Sequence, residues 1–140
     1  MEVRIQKLHT DAKMPVFAHD TDAGMDLCSV TELTVAPGAR VQVPTGIALA
    51  IPEGYAGLIW DKSGLSHKAG LKTLGGVVDA GYRGEIFVGL VNTSDTPHTF
   101  AVGDKVAQML IQKIEQPVLT EVAALDDTQR GTGAFGSTGV

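Results

Sequence analysis

Several residue types are scarce, and each scarcity excludes something. Cysteine occurs once, at Cys28, so no disulfide can form within the chain, and a small packing role is the simplest use for it. Lysine and arginine total 11 against 16 acidic residues, a formal charge of -5. Such a chain lacks the dense basic surface that holds a nucleic-acid backbone, so no nucleic-acid partner is expected and any phosphate must be gripped locally. No apolar run approaches the roughly 18 to 20 residues needed to span a bilayer, and Met1 to Leu8 alternates apolar with charged residues in place of a signal core. The expected setting is the cytoplasm, with no membrane contact. His9, His19, His67 and His98 share no helical ligand spacing, so a histidine metal site is not expected and surface positions are. Aromatics make up only 5%, which draws attention to Tyr82 and Phe135, both set among glycines and polar residues.

Hydrophobic residues, at 44% of 140, suffice to offset the entropy of ordering one globular domain. They recur mainly at every second position, most clearly at Val41, Val43, Ile47, Leu49 and Ile51 around an interruption at Pro44 to Gly46. The runs are closed by turn residues: Pro37-Gly38, Pro52-Glu53-Gly54, Gly75-Gly76, Asn92 to Pro97 and Gly103-Asp104. This pattern predicts an all-β sandwich or barrel. One short helix is predicted over Ser63 to Ala69, with Ser63 as its cap. Arg130 to Val140 holds four glycines in eleven residues, so a flexible tail following a β domain of residues 1–129 is expected. With 17 glycines and few aromatics the core is modest, and association would bury more apolar surface.

Five segments combine acidic, hydroxyl or amide residues with turns. In Asp22 to Ser29 (DAGMDLCS), Asp26 suits a water-bridged divalent cation, or is simply part of a turn. In Asp61 to Lys68 (DKSGLSHK), Lys62, Ser63 and the amides that follow suit an anion, or a capped helix with a solvated lysine. Gly76 to Asn92 (GVVDAGYRGEIFVGLVN) reads as a hairpin with its turn at Ala80-Gly81, which sets Asp79 and Tyr82 three residues apart, a carboxylate beside an aromatic face suited to a sugar. In Gly103 to Leu110 (GDKVAQML), Gln108 is an uncharged polar group among apolar neighbours and needs a backbone or ligand partner if buried. In the tail, Arg130, Ser137 and Thr138 are phosphate donors, Phe135 a stacking face, and the glycine-rich backbone a nest of amides, or the whole segment is simply disordered.

Taken in order, from Asp22 to Gly139, the segments resemble the five motifs of the trimeric dUTP pyrophosphatase family. The Asp-x-x-Tyr-x-Gly segment and the Arg-Gly-x-Gly-x-Phe-Gly-Ser-Thr-Gly terminus are the specific ones. The resemblance implies a jelly-roll-like β fold of the β-clip type, assembled as a homotrimer whose sites each draw on three subunits, the tail closing over a neighbour's site. It implies Mg2+-dependent hydrolysis of dUTP to dUMP and pyrophosphate, which limits uracil incorporation into DNA and supplies dUMP for dTMP synthesis. By the same resemblance Asp79 would bind the 3'-hydroxyl and act as general base. Tyr82 would pack on the deoxyribose, and Gly76, Val77 and Val78 would read uracil through their backbone. Asp26 would hold Mg2+ through water. Lys62, Ser63, Gly64 and Gln108 would meet phosphate, with Arg130, Gly136, Ser137 and Thr138 on the outer phosphates and Phe135 stacked on uracil.

The chain departs from the family in carrying Lys62 where arginine is usual, which loses the bidentate fork, and in placing Asp61 beside it. It also has Ala134 where many members have glycine, and Thr73 near a position where some carry asparagine. Two other activities compete. dCTP deaminases share the fold but carry a catalytic glutamate where this chain has Gly89, and a nucleotide sensor would bind without turnover.

Overall fold

The computed structural model describes residues 1–134. Ten strands and one helix follow in order: β1 (Arg4–Lys7), β2 (Met25–Cys28), β3 (Leu33–Val35), β4 (Arg40–Ala50), β5 (Tyr55–Trp60), α1 (Ser63–Ala69), β6 (Leu71–Leu74), β7 (Val77–Val78), β8 (Glu85–Asn92), β9 (His98–Phe100) and β10 (Lys105–Lys113). They build a sheet of order β1-β4-β8-β6, a second of order β2-β10-β5-β7, and the small pair β3-β9. Every pairing is antiparallel. This is the all-β class that the alternating pattern predicts, in the jelly-roll-like form that the resemblance implies.

Four of the five turn clusters read from the sequence fall between consecutive strands, and the fifth, Asn92 to Pro97, begins on the last residue of β8. The period-two reading holds as well. Ile86, Val88 and Leu90 of β8 point inward and are almost fully buried, as are Val43, Ile47 and Leu49 of β4. These side chains join Leu27, Phe100, Val106 and Met109 in one core between the sheets.

The Pro44 to Gly46 interruption of the alternation lies within one strand, while the expected hairpin is corrected. β4 runs unbroken for 11 residues and absorbs the irregularity as a register shift between Pro44 and Ala48, with Gly46 at φ 67°. The turn at Ala80-Gly81 forms where predicted, closed by Tyr82 N–H donating to Asp79 O at 3.1 Å. Its arms, however, do not pair into a hairpin. β7 pairs with β5, while β8 lies between β4 and β6. The chain therefore changes sheets across this turn, because Val77 and Val78 gain backbone partners at Leu58 and Gly57. Gly76 permits the change. Its φ is 111°, its carbonyl accepts from Ile59 N–H at 2.7 Å, and a Cβ there would lie 2.8 Å from Ile59 O.

Asn92, fully buried at the end of β8, ties three segments together. Its Nδ2 donates to Val35 O at 2.9 Å and Thr96 O at 2.7 Å, and its Oδ1 accepts from Ser94 N–H and Oγ. Asn92→Ala would leave these groups unpaired in the interior. It is expected to lower stability by about 1–3 kcal/mol, measured as a drop in the denaturant midpoint at unchanged slope.

Candidate active site

A recess of about 290 Å3 opens where the two sheets meet, lined by Gln42, Ile59, Gly76, Val77, Val78, Asp79, Tyr82, Glu85, Ile86 and Phe87. It lies at the small end of the roughly 300–1,000 Å3 range of small-ligand sites, enough for a nucleoside but not a whole nucleoside triphosphate. β7 is the edge strand of its sheet, so one side of the Val77–Val78 backbone has no strand neighbour among the described residues. Unpaired amide and carbonyl groups along such an edge can pair with a planar base. Asp79 stands exposed just beyond β7, and Tyr82, 46% exposed, forms part of the same wall. The structure thus gathers Gly76, Val77, Val78, Asp79 and Tyr82 into one place.

The other predicted residues form a second group. On β10, Gln108 pairs in register with Asp26 of β2 on one side and Trp60 of β5 on the other. Gln108 Nε2 donates to Asp61 O at 2.8 Å, which satisfies one of its two amide hydrogens. Lys62 and Ser63 follow directly at the start of α1. Lys62 is the N-cap, with no side-chain capping bond, so Ser63 is the first helical residue and not the cap. The correction is one position, and the Ser63, Gly64 and Leu65 amides still lie in the first turn, where backbone donors lack helical acceptors.

Asp26 is 3% exposed and carries two ammonium partners. Lys62 Nζ hydrogen-bonds its Oδ1, and Lys105 Nζ lies 2.6 Å from its Oδ2 as an ion pair, outside hydrogen-bond alignment. Burial alone would raise the Asp26 pKa, but Lys105 and Lys62 outweigh it and hold the carboxyl below its ordinary range. Lys105 is raised in turn, by its contact with Asp26. Lys105 was not among the sequence candidates. The only available signal was its place three residues before Gln108, and nothing local says that it reaches β2.

Asp61, the odd neighbour of Lys62, points elsewhere. Its carboxylate accepts from Thr73 N–H and Oγ1, each at 2.7 Å, and from Lys72 Nζ at 2.6 Å. Burial works against the charged form, but Lys72 and Thr73 prevail and lower the Asp61 pKa. Its negative charge is therefore spent on bracing β6, and Thr73 is that brace.

Arg130 is exposed, its Nε donating to Gly133 O at 2.9 Å within a local turn. Phe135, Gly136, Ser137 and Thr138 lie outside the described residues. Among the described residues no three acidic, histidine or cysteine side chains cluster to cage a cation. Direct ligation by Asp26 would have to displace a lysine. Its surroundings would instead admit a hydrated divalent cation that meets Asp26 only through water. No helix among the described residues is long and apolar enough to cross a membrane.

The two groups, a backbone-edged recess and a cationic cluster around a buried carboxylate, mark a jelly-roll-like β protein equipped for a small anionic ligand. Comparison with known proteins makes this specific. Residues 10–139 match the dUTPase family. A deoxyuridine 5'-triphosphate nucleotidohydrolase of Rhodococcus erythropolis is 47% identical over 99% of this chain and 87% of its own, and one of Thermobifida fusca is 47% identical over 99% and 79%. The Staphylococcus bacteriophage 80alpha dUTPase with dUpNHpp superposes with a TM-score of 0.93 at 29% identity, covering 99% of both chains. A mutant dUTPase of phage phi11 of S. aureus, described as coordinating a structural Mg(II) ion, superposes at 0.83 with 30% identity over 89% of this chain and 98% of that one. The chain belongs to the dUTPase family.

The Asp26 ion pairs carry a pH signature. The depressed carboxyl contributes stability in full above its unfolded pKa of about 3.9, and that contribution is lost as pH falls through the lower folded value. The stability gap between the native chain and Asp26→Asn is therefore expected to be constant near neutrality and to close below about pH 4. Denaturant titrations at stepped pH would measure it.

Proposed function

We propose that the chain hydrolyses dUTP to dUMP and pyrophosphate, with Asp79 as general base and with each site completed by neighbouring copies of the chain. The observation that carries this is the recess itself, edged by the open backbone of β7 and walled by Asp79 and Tyr82. The 47% identity to named nucleotidohydrolases supports the same reaction.

In this reading uracil pairs with the Gly76 to Val78 backbone, and Tyr82 packs on the deoxyribose where a 2'-hydroxyl would crowd it. Asp79 accepts from the 3'-hydroxyl and takes a proton from water as its oxygen bonds to the α-phosphorus. The bond from that phosphorus to the bridging oxygen breaks, and pyrophosphate leaves with the electron pair. Lys62, the Ser63 and Gly64 amides and the second amide hydrogen of Gln108 meet the phosphates and offset the growing negative charge. Bound Mg2+ would supply further charge neutralisation on the phosphates, with Asp26 holding it through water.

The base-binding recess and the cationic cluster share no lining residue, and a nucleoside accounts for most of a recess of about 290 Å3. A trimer in which one copy's recess meets a second copy's Asp26 group, and a third copy contributes Arg130, Phe135, Gly136, Ser137 and Thr138, joins them. Residues 130–140 then act as a closing tail on the β domain of residues 1–129, and ordering that tail only around the right nucleotide ties catalysis to specificity. Such chemistry suits the cytoplasm, where nucleotides are made.

Deamination is disfavoured by geometry. Gly89 stands where a deaminase carries glutamate, and a Cβ there would lie 2.9 Å from Leu74 O, so no larger side chain fits without moving β6.

The deciding experiment incubates the protein with Mg2+ and, separately, dUTP, dCTP, dTTP and UTP. We expect dUMP and pyrophosphate from dUTP alone. Uracil products from dCTP would mean deamination, and binding of dUTP without turnover would mean a sensor. Asp79→Asn is expected to bind dUTP but to lose about 10²- to 10⁴-fold in kcat, because the amide cannot accept the proton. Near-normal turnover would remove Asp79 as base. Deleting residues 130–140 is expected to leave a folded trimer by light scattering with little activity.

A further inference from the structure

The Tyr82 ring, though 46% exposed, folds back over the next residues. Its hydroxyl donates to Glu85 O at 2.9 Å. Beneath the ring lies Gly84. A Cβ built there would stand 2.4 Å from the Tyr82 hydroxyl oxygen, 2.6 Å from Cζ and 3.0 Å from Cε2, all inside the distances real Cβ atoms reach. The backbone does not require glycine at this position, because the Gly84 φ lies outside the left-handed region. The missing side chain serves the ring, and the ring is what would have to move if a Cβ were added.

Both ends of this arrangement are fastened. Arg83 turns back over the loop, and its Nη1 donates to Ala80 O at 2.6 Å and Tyr82 O at 2.8 Å, bracing the turn that carries Asp79 and Tyr82. Glu85, whose carbonyl receives the hydroxyl, is itself anchored to the β4 bulge. Its Oε1 accepts from Gly46 N–H at 2.7 Å, and its backbone pairs opposite Ala48. The hydroxyl is therefore tied to the frame of the first sheet and the phenol end of the ring rests against Gly84 as its seat. Tyr82 and Glu85 both line the recess, so the height of the seat sets how far the ring stands from whatever sugar enters.

We propose that Gly84 and the Glu85 carbonyl are positioning elements that hold the Tyr82 ring at the depth where deoxyribose fits and ribose does not, with Arg83 bracing the turn beneath. The proposal rests on the reading of the recess as a deoxynucleotide site. It assigns part of the sugar discrimination to a residue that touches no substrate. Gly84→Ala places a methyl group under the ring and displaces it without demanding a new backbone conformation. With its seat filled, the ring leaves the depth at which it excludes the 2'-hydroxyl, and the separation between dUTP and UTP shrinks.

The test compares kcat/KM for dUTP and UTP in the native protein, Gly84→Ala, Tyr82→Ala and the double variant. Gly84→Ala is expected to reduce the preference for dUTP about tenfold or more and to change it no further once Tyr82 is already alanine, because its effect passes through the ring. An unchanged preference with lowered thermal stability would make Gly84 structural only and overturn the proposal. So would independent losses in the double variant. A second readout needs neither activity nor a Gly84 variant. With the ring over its Cα, the Gly84 α-proton resonances should be displaced upfield by the ring current and should return to ordinary values in Tyr82→Leu. Ordinary values in the native protein would refute the seat. If the native protein fails to cleave dUTP while the displaced resonances are present, the catalytic reading falls and the seat stands.

Discussion

A carboxylate buried to 3% exposure stays charged only if cations are brought to it, and that requirement organises the second sheet. Asp26 lies on β2, Lys62 just beyond β5, and Lys105 at the start of β10. All three meet only when β10 lies between β2 and β5 in the observed register, with Gln108 opposite both Asp26 and Trp60. A slip of one residue would turn Gln108 to the opposite face and leave Asp26 without Lys105. The same register lets Gln108 hold the Asp61 carbonyl, so the loop leading into α1 is set by the strand that supplies the lysine. Packing and charge here enforce one another.

The change of sheets at Gly75 to Glu85 does comparable work at the β7 edge of that sheet. Because β7 joins β5 and β8 joins β4, the Asp79 to Tyr82 turn bridges two sheets that pack face to face. A recess appears at the bridge, with one wall an unpaired backbone edge and the other a strand end. A simple hairpin would have used that edge for its own pairing and left no open backbone along the recess. The open edge carries a risk of unwanted strand addition, but β7 is only two residues long, too short to template much pairing.

Much of this was legible in the sequence. Positive-φ glycines sit at the turns where Gly38, Gly54, Gly75, Gly76 and Gly103 were read as punctuation, and the alternation in β8 points inward as its pattern requires. The Ala80-Gly81 turn formed in place, which put Asp79 and Tyr82 on one rim. Other features were not legible. Ser63 is a good capping residue, yet Lys62 took the N-cap position. Asp61 looked misplaced beside phosphate because its partners, Lys72 and Thr73, lie beyond an intervening helix.

What the sequence determined by itself is what neighbouring residues decide between them: strand periodicity, turn positions, one short helix and the order of five polar segments. Those follow from local sterics, from φ/ψ preferences and from which side of a strand must leave water. The tertiary structure decided which strands share a sheet, that Asp26 is buried between two lysines, that Lys105 belongs with it, and that the Tyr82 ring lies on Gly84. Most of these depend on contacts between residues far apart along the chain, and the last on how a side chain folds back onto its own turn. Their energies exist only once the sheets have closed, and no stretch of sequence read alone contains them.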